Sequence, residues 1–181
     1  YAQGGAVHNS GMIDSISGNF HDNYAHSDTH TANGGAILNS RTIGNINGEF
    51  NGNYASSKHA YGGAIYNSGT VGNITSNFTR NYVQATSLGA RGGAIHNEFN
   101  SNIDSIIGNF IGNYATASDA VAYGGAIDNY YSTISNITGD FINNYTQSTF
   151  FNASGGAIYN SNGTGINGEL YNLYDDAEQE N

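Results

Sequence analysis

Apolar and polar residues alternate along this chain in short bursts, and no segment sustains the three-to-four-residue rhythm of a helix. In Ala6-Val7-His8-Asn9 the apolar Val7 is followed by a position that varies freely between copies. In Ile16-Ser17-Gly18-Asn19-Phe20 the side chains of Ile16, Gly18 and Phe20 fall on one face. Both read as short β-strands, separated by Gly, Asn and Ser that tolerate left-handed or side-chain-bonded turns.

These bursts recur. Gly-Gly-Ala followed by Ile or Val begins at Gly4, Gly34, Gly62, Gly92, Gly124 and Gly155, so the interval runs from 28 (34 to 62) to 32 (92 to 124) residues. A second motif follows each copy: Ile13, Ile16, Phe20, Asn23, Tyr24 returns as Ile43, Ile46, Phe50, Asn53, Tyr54 and as Val71, Ile74, Phe78, Asn81, Tyr82. It continues as Ile103, Ile106, Phe110, Asn113, Tyr114 and as Ile134, Ile137, Phe141, Asn144, Tyr145, then decays to Ile166, Leu170, Leu173, Tyr174.

A unit of ~30 residues with two or three short strands cannot bury its apolar edge alone, whereas stacking on its own copy buries that edge and pairs every strand. The pattern therefore predicts an all-β fold, a right-handed parallel β-helix (β-solenoid) of about six coils with ~30 residues per coil. At ~4.8 Å between strands, six coils make a rod roughly 29 Å long. Residues 1–174 form one domain in this reading, and 175–181 form an acidic C-terminal tail.

Columns of like residues follow. Ala-Ile from the first motif and Ile-Ile-Phe from the second are expected in the core. Gly18, Gly48, Ser76, Gly108, Gly139 and Gly168 form a column that leaves room for the neighbouring aromatic or makes a corner. Asn9, Asn39, Asn67, Asn97, Asn129 and Asn160 form one amide column, and Asn23, Asn53, Asn81, Asn113 and Asn144 another. Both are expected to be structural ladders. The pieces that vary in length, 26–33, 56–61, 84–91, 116–123 and 147–154, are expected to project as loops from one side and to hold whatever function is specific to this chain.

Gly-Gly-Ala-Ile paired with Phe-x-x-Asn, as in Phe50-Asn51-Gly52-Asn53 before Gly62-Gly63-Ala64-Ile65, resembles the repeats of the chlamydial polymorphic outer-membrane protein family and related autotransporter passengers. The resemblance covers nearly the whole chain. It implies surface exposure and adhesion to host cells. This chain differs in adding a Tyr after each Phe-x-x-Asn and in having no cysteine.

Composition narrows the partners. Charged residues make up 10% of the chain, against ~25% in ordinary domains, so amides and hydroxyls must keep the surface wet. Such surfaces suit an extracellular or cell-surface location. With four basic residues and a net charge of -10, there is no basic patch to displace counterions from a nucleic acid. The absence of cysteine excludes disulfides, thiolate zinc sites and thiol nucleophiles. No apolar run is long enough for a transmembrane helix. The start at Tyr1 without Met reads as a processed product or a fragment of a longer solenoid.

Asp14 and Asp104 hold equivalent positions three coils apart, too far for a carboxylate pair. Glu49, Asp140 and Glu169 share an outward column, with Asp140 and Glu169 in successive coils about 5 Å apart. Because the same position is Asn elsewhere, a solvated surface is the expectation. His26 and His30 flank Asp28, with His59 one coil on, a set that resembles metal ligands only if the loops bring it together. His8 and His96 share a column with Leu38, Tyr66, Asp128 and Tyr159 that reads as outward-facing without one role. Sequons occur at Asn73, Asn77, Asn136, Asn144, Asn152 and Asn162.

No catalytic, cofactor-binding or metal residue is therefore expected. The function read from the chain is a non-enzymatic structural or adhesive extracellular protein, a fibre or stalk whose edges stack on further copies of itself. Its other expected partners are a host or neighbouring cell surface, or glycans. The alternative is a carbohydrate-active enzyme, or a carbohydrate-binding module using stacked Tyr rings, on the same scaffold.

Overall fold

The computed structural model describes residues 1–161 and the strand Leu170–Tyr174, and every regular element among them is a β-strand. The strands form three parallel sheets that wind into a β-solenoid of about five turns, close to the six coils expected. The first sheet takes one strand from each Gly-Gly-Ala motif: Val7–Asn9, Ile37–Asn39, Ile65–Asn67, Ile95–Asn97, Ile127–Tyr130 and Ile158–Ser161. The second carries the Ile-Ile-Phe motif, in strands such as Thr42–Asn51 and Thr70–Thr79.

Like residues stand opposite like. Ile43 pairs with Val71, Ile46 with Ile74 and Phe50 with Phe78, and the same register carries through to Phe110 and Phe141. The Phe rings stack 4.7–5.0 Å apart between neighbours, buried together with the Ile columns in one core.

The amide ladders are also present. In the first, each Asn Nδ2 donates to the Oδ1 one coil further on, at 2.8 Å from Asn9 to Asn39, Asn39 to Asn67 and Asn67 to Asn97, and at 2.9 Å from Asn97 to Asn129 and Asn129 to Asn160. The second runs from Asn23 to Asn144 in the same sense, at 2.8–3.0 Å. Its interior amides also donate to a Phe carbonyl one coil back, as Asn81 does to Phe50. Each amide thus meets the main-chain groups that a sharp corner would otherwise leave unpaired.

The glycine column lies within the second sheet, with Gly48, Ser76 and Gly139 inside continuous strands, and what it makes room for is the main chain of the neighbouring coil. Gly48, Gly108 and Gly139 have φ of 144–153°, and a Cβ on Gly108 would lie 1.9 Å from the carbonyl oxygen of Ser76 below it. Ser76 holds the equivalent place in the third coil. Gly168 lies outside the described residues.

The variable pieces correct the loop expectation. Residues 56–61 lie within the strand Tyr54–Tyr61 and residues 84–91 within Tyr82–Arg91, both in the nine-stranded third sheet. True loops are left only where strands break, at 27–30, 118–121 and 149–152. The reason is a second core of Ala25, Ala32, Ala55, Ala60, Val83, Ala85, Ala90, Ala115, Ala117 and Ala122, with small residues alternating inward. Alanine is so weak a hydrophobic signal that this alternation does not stand out in the sequence.

The sixth repeat also departs from its expected alignment. Asp140 stands opposite Tyr171 and Phe141 opposite Leu173, with an irregularity between them, so Leu170 does not continue the Phe column. Glu169 itself and the acidic tail 175–181 lie outside the described residues. Where the repeat loses Phe-x-x-Asn, the side-chain pattern that fixes register is gone, and the pairing shifts by one residue.

Candidate functional site

In the fourth and fifth coils the repeat carries charge where other coils do not. His96 and Asp128 are register partners in the first sheet, at the position held by Leu38 in the second coil. Their side chains point away from the Ile core, yet both are buried, with His96 1% and Asp128 0% exposed. The cover comes from the column just before each Gly-Gly, where Tyr61, Arg91 and Tyr123 stand in register. The Gly-Gly corner folds that column back over the first sheet, and there Tyr61 and Tyr66 stack on His96.

The polar atoms form a connected set. Asp128 Oδ2 lies 2.9 Å from His96 Nδ1, Glu98 Oε2 lies 3.3 Å from His96 Nε2, and Tyr66 donates its hydroxyl to Glu98 Oε2 at 3.1 Å. Arg91 Nη1 lies 3.5 Å from Asp128 Oδ2, and its guanidinium sits over the rings of Tyr123 and Tyr130 at 4.9 and 4.5 Å. An ionised carboxylate only accepts, so a carboxylate at each nitrogen favours the ring that donates twice, the imidazolium. Burial alone pushes the pKa of His96 down, but the hydrogen bonds and charges of Asp128 and Glu98 outweigh it and raise the value above 6.5. Burial pulls Glu98 upward in turn, and the bonds from His96, the Phe99 N–H and Tyr66 reverse this and lower it to about 2. Asp128 Oδ1 and Arg91 Nη1 are buried without a hydrogen-bond partner among the described residues.

A cavity of about 160 Å³ opens beside this set, lined by Tyr61, Arg91, His96, Glu98 and Tyr130. Comparison with protein-family models, curated proteins and solved structures finds no match to the chain. The chemistry of the cavity is therefore read from its own atoms. Both nitrogens of His96 are occupied by carboxylates, so it presents neither a free base nor a free proton to a bound molecule.

The residues singled out from the sequence are placed elsewhere. Asp14 and Asp104 are exposed, three coils apart. Glu49 stands opposite Asn77 and its main-chain N–H donates to Asn19 Oδ1, so no second carboxylate adjoins it. His26 bonds Asp28 at 3.0 Å, His30 bonds Thr29, and His59 bonds the Tyr61 hydroxyl at 2.9 Å, so the three histidines do not converge. Among the described residues no group of three ligating side chains is placed to hold a metal ion. His8 is exposed, whereas His96 is not. Asn144 is a ladder rung, Asn152 is exposed, and Asn162 lies outside the described residues.

The tyrosine ladder Tyr24, Tyr54, Tyr82, Tyr114, Tyr145 stacks at 4.8–5.3 Å with planes 6–11° apart. Each interior ring has both faces covered by its neighbours and meets solvent only at its edge, which removes it as a stacking platform for sugars.

What the sequence reading missed was the cluster around His96. Its signal was present: His96 and Asp128 in successive coils of one column, and an Arg before Gly-Gly where neighbouring coils have Tyr.

Proposed function

We propose that this chain is a non-enzymatic structural and adhesive protein of the extracellular space or cell surface, a stalk- or fibre-forming solenoid. The observation that carries this reading is the unbroken, one-directional amide ladder from Asn9 to Asn160. Each rung donates forward and accepts from behind, so a further coil or a second copy stacked head to tail extends the ladder without changing its chemistry. Such a heterologous contact does not close on itself and propagates. The amide- and hydroxyl-rich surface and the motif resemblance to chlamydial surface-protein repeats support the location and the adhesive role. The cluster around His96 ties neighbouring coils together, which also suits a rod that must stay stiff.

Electron microscopy with mass measurement over a concentration series tests the assembly. Filaments with an axial repeat near ~29 Å mark a fibre subunit, and single short rods mark a stalk segment. Turnover of neutral or acidic polysaccharides that disappears in Asp128→Asn or Glu98→Gln would overturn the reading in favour of a carbohydrate-active enzyme.

A further inference from the structure

The corner that follows the first amide ladder is not the same in every coil. Between the ladder Asn and the second-sheet strand, the third coil has Ser68 and Gly69, the fourth has Glu98, Phe99, Asn100 and Ser101, and the fifth has Tyr130, Tyr131 and Ser132. The longer corners are built into the ladder. Where the Gly69 N–H bonds Asn67 Oδ1, the hydroxyls of Ser101 and Ser132 bond Asn97 Oδ1 and Asn129 Oδ1 at 2.7 and 2.6 Å.

These two corners put aromatic rings into solvent. Phe99 is 56% and Tyr131 42% exposed, and the rings sit 6.1 Å apart at 52°, so neither covers the other's face. Tyr131 is held at φ 47°, a left-handed conformation that a bulky side chain rarely adopts and that persists where the surroundings impose it. The next residue back along the chain from each ring, Glu98 and Tyr130, lines the cavity described above. The Tyr131 ring also meets the Tyr130 ring edge-on at 4.7 Å, so the open aromatic rim adjoins the polar pocket.

The polar groups select the kind of ligand. Arg91 and the imidazolium of His96 balance Glu98 and Asp128, so an anion meets carboxylates and a cation meets a guanidinium. Arg91 lines the cavity with its Nη1 ion-paired to Asp128 at 3.5 Å and without a hydrogen bond from Nη1 among the described residues, and Glu98 Oε1 takes only the Phe99 N–H, which leaves it a lone pair. A hydroxyl both donates and accepts, and the C–H face of a pyranose packs on an aromatic ring. We propose that the fourth and fifth coils carry a binding site for a neutral hexose of an extended glycan, its ring on Phe99 and Tyr131 and its hydroxyls bonded by Arg91 and Glu98. This rests on the adhesive reading above and names what is adhered to.

The test is titration of the whole chain with mannohexaose, cellohexaose and a β-1,4-galactan hexamer, with tetragalacturonate as the anionic control, read by calorimetry and tyrosine fluorescence. At least one neutral hexamer is expected to bind and tetragalacturonate is not. The double variant Phe99→Ala, Tyr131→Asn removes both rings, with a residue that tolerates the left-handed backbone at 131. It is expected to weaken binding about tenfold or more while leaving the melting temperature unchanged or higher. Arg91→Lys keeps the charge but loses the planar fork and is expected to weaken binding as well. The site is overturned if no neutral hexamer binds at millimolar concentration, if the uronate binds as well as the neutral sugars, or if the double variant binds as the parent does. Chain length of the recovered sugar separates this proposal from the one it rests on: shortened sugar overturns the non-enzymatic reading and keeps the site, whereas rods or filaments that bind no sugar overturn the site alone.

Discussion

His96 Nδ1 lies 2.9 Å from Asp128 Oδ2 across the gap between two adjacent coils, while its Nε2 lies 3.3 Å from Glu98 Oε2 in its own coil. One buried imidazolium thereby joins two carboxylates that would otherwise repel each other. The other charged or titratable groups facing it are Arg91, through Asp128, and the rings of Tyr61 and Tyr66.

This pair makes stability depend on pH in two directions. The raised His96 contributes stability that is complete below its unfolded value of 6.5 and lost as pH climbs through the higher folded value. The lowered Glu98 contributes stability that is complete above 4.5 and lost as pH falls toward about 2. The contribution is therefore largest between pH 4.5 and 6.5. His96→Leu, which installs the residue of the second coil, leaves Asp128 buried without its imidazolium and is expected to cost about 3 kcal/mol in that window, with a smaller loss in alkali. Thermal melts of both proteins across pH check this, and a constant difference at every pH would contradict it.

The buried ladder and the exposed amides should respond differently to the same substitution. Asn67 accepts from Asn39, donates to Asn97 and reaches the carbonyls of Gly69 and Asn102. Asn67→Ala leaves several of these groups unpaired and is expected to cost about 3 kcal/mol or more. Asn73, whose amide bonds Asn45 in solvent, is expected to change stability by no more than about 0.5 kcal/mol on the same substitution. Denaturant titration of the two variants makes the comparison.

Two glycines make an equally sharp contrast. A Cβ on Gly93 would lie 2.0 Å from the Gly125 carbonyl oxygen and 2.5 Å from that of Tyr114, whereas one on Gly11 meets nothing within 4 Å. Gly93→Ala is expected to abolish soluble expression or cost about 4 kcal/mol or more, and Gly11→Ala to be neutral or slightly stabilising. Equal melting temperatures would show that the corner relaxes in a way the close approach of these coils does not suggest.

One substitution is expected to stabilise. Ser76 takes the glycine-column position in the third coil, buried at 4% exposure, and its hydroxyl has no hydrogen-bond partner among the described residues. Ser76→Ala removes that unmet group and is expected to add about 1 kcal/mol. A loss of stability on denaturation would mean that the hydroxyl is satisfied in solution.

The sequence by itself determined the coil. Six Gly-Gly-Ala motifs, the Ile and Phe positions and the two Asn columns recur together every 28 to 32 residues, and only stacking like on like buries those residues and pairs those amides. Three matters waited for the tertiary structure. The third sheet did, because its core is alanine and its strands differ in length from coil to coil. The register of the last described strand did, because the motif that would anchor it has decayed. The cluster around His96 did as well. Burial of that position depends on Arg91 and Tyr61, which come before the Gly-Gly corner, being folded back over it. Its charge balance depends on Asp128, which is brought close by one turn of the solenoid and not by the chain.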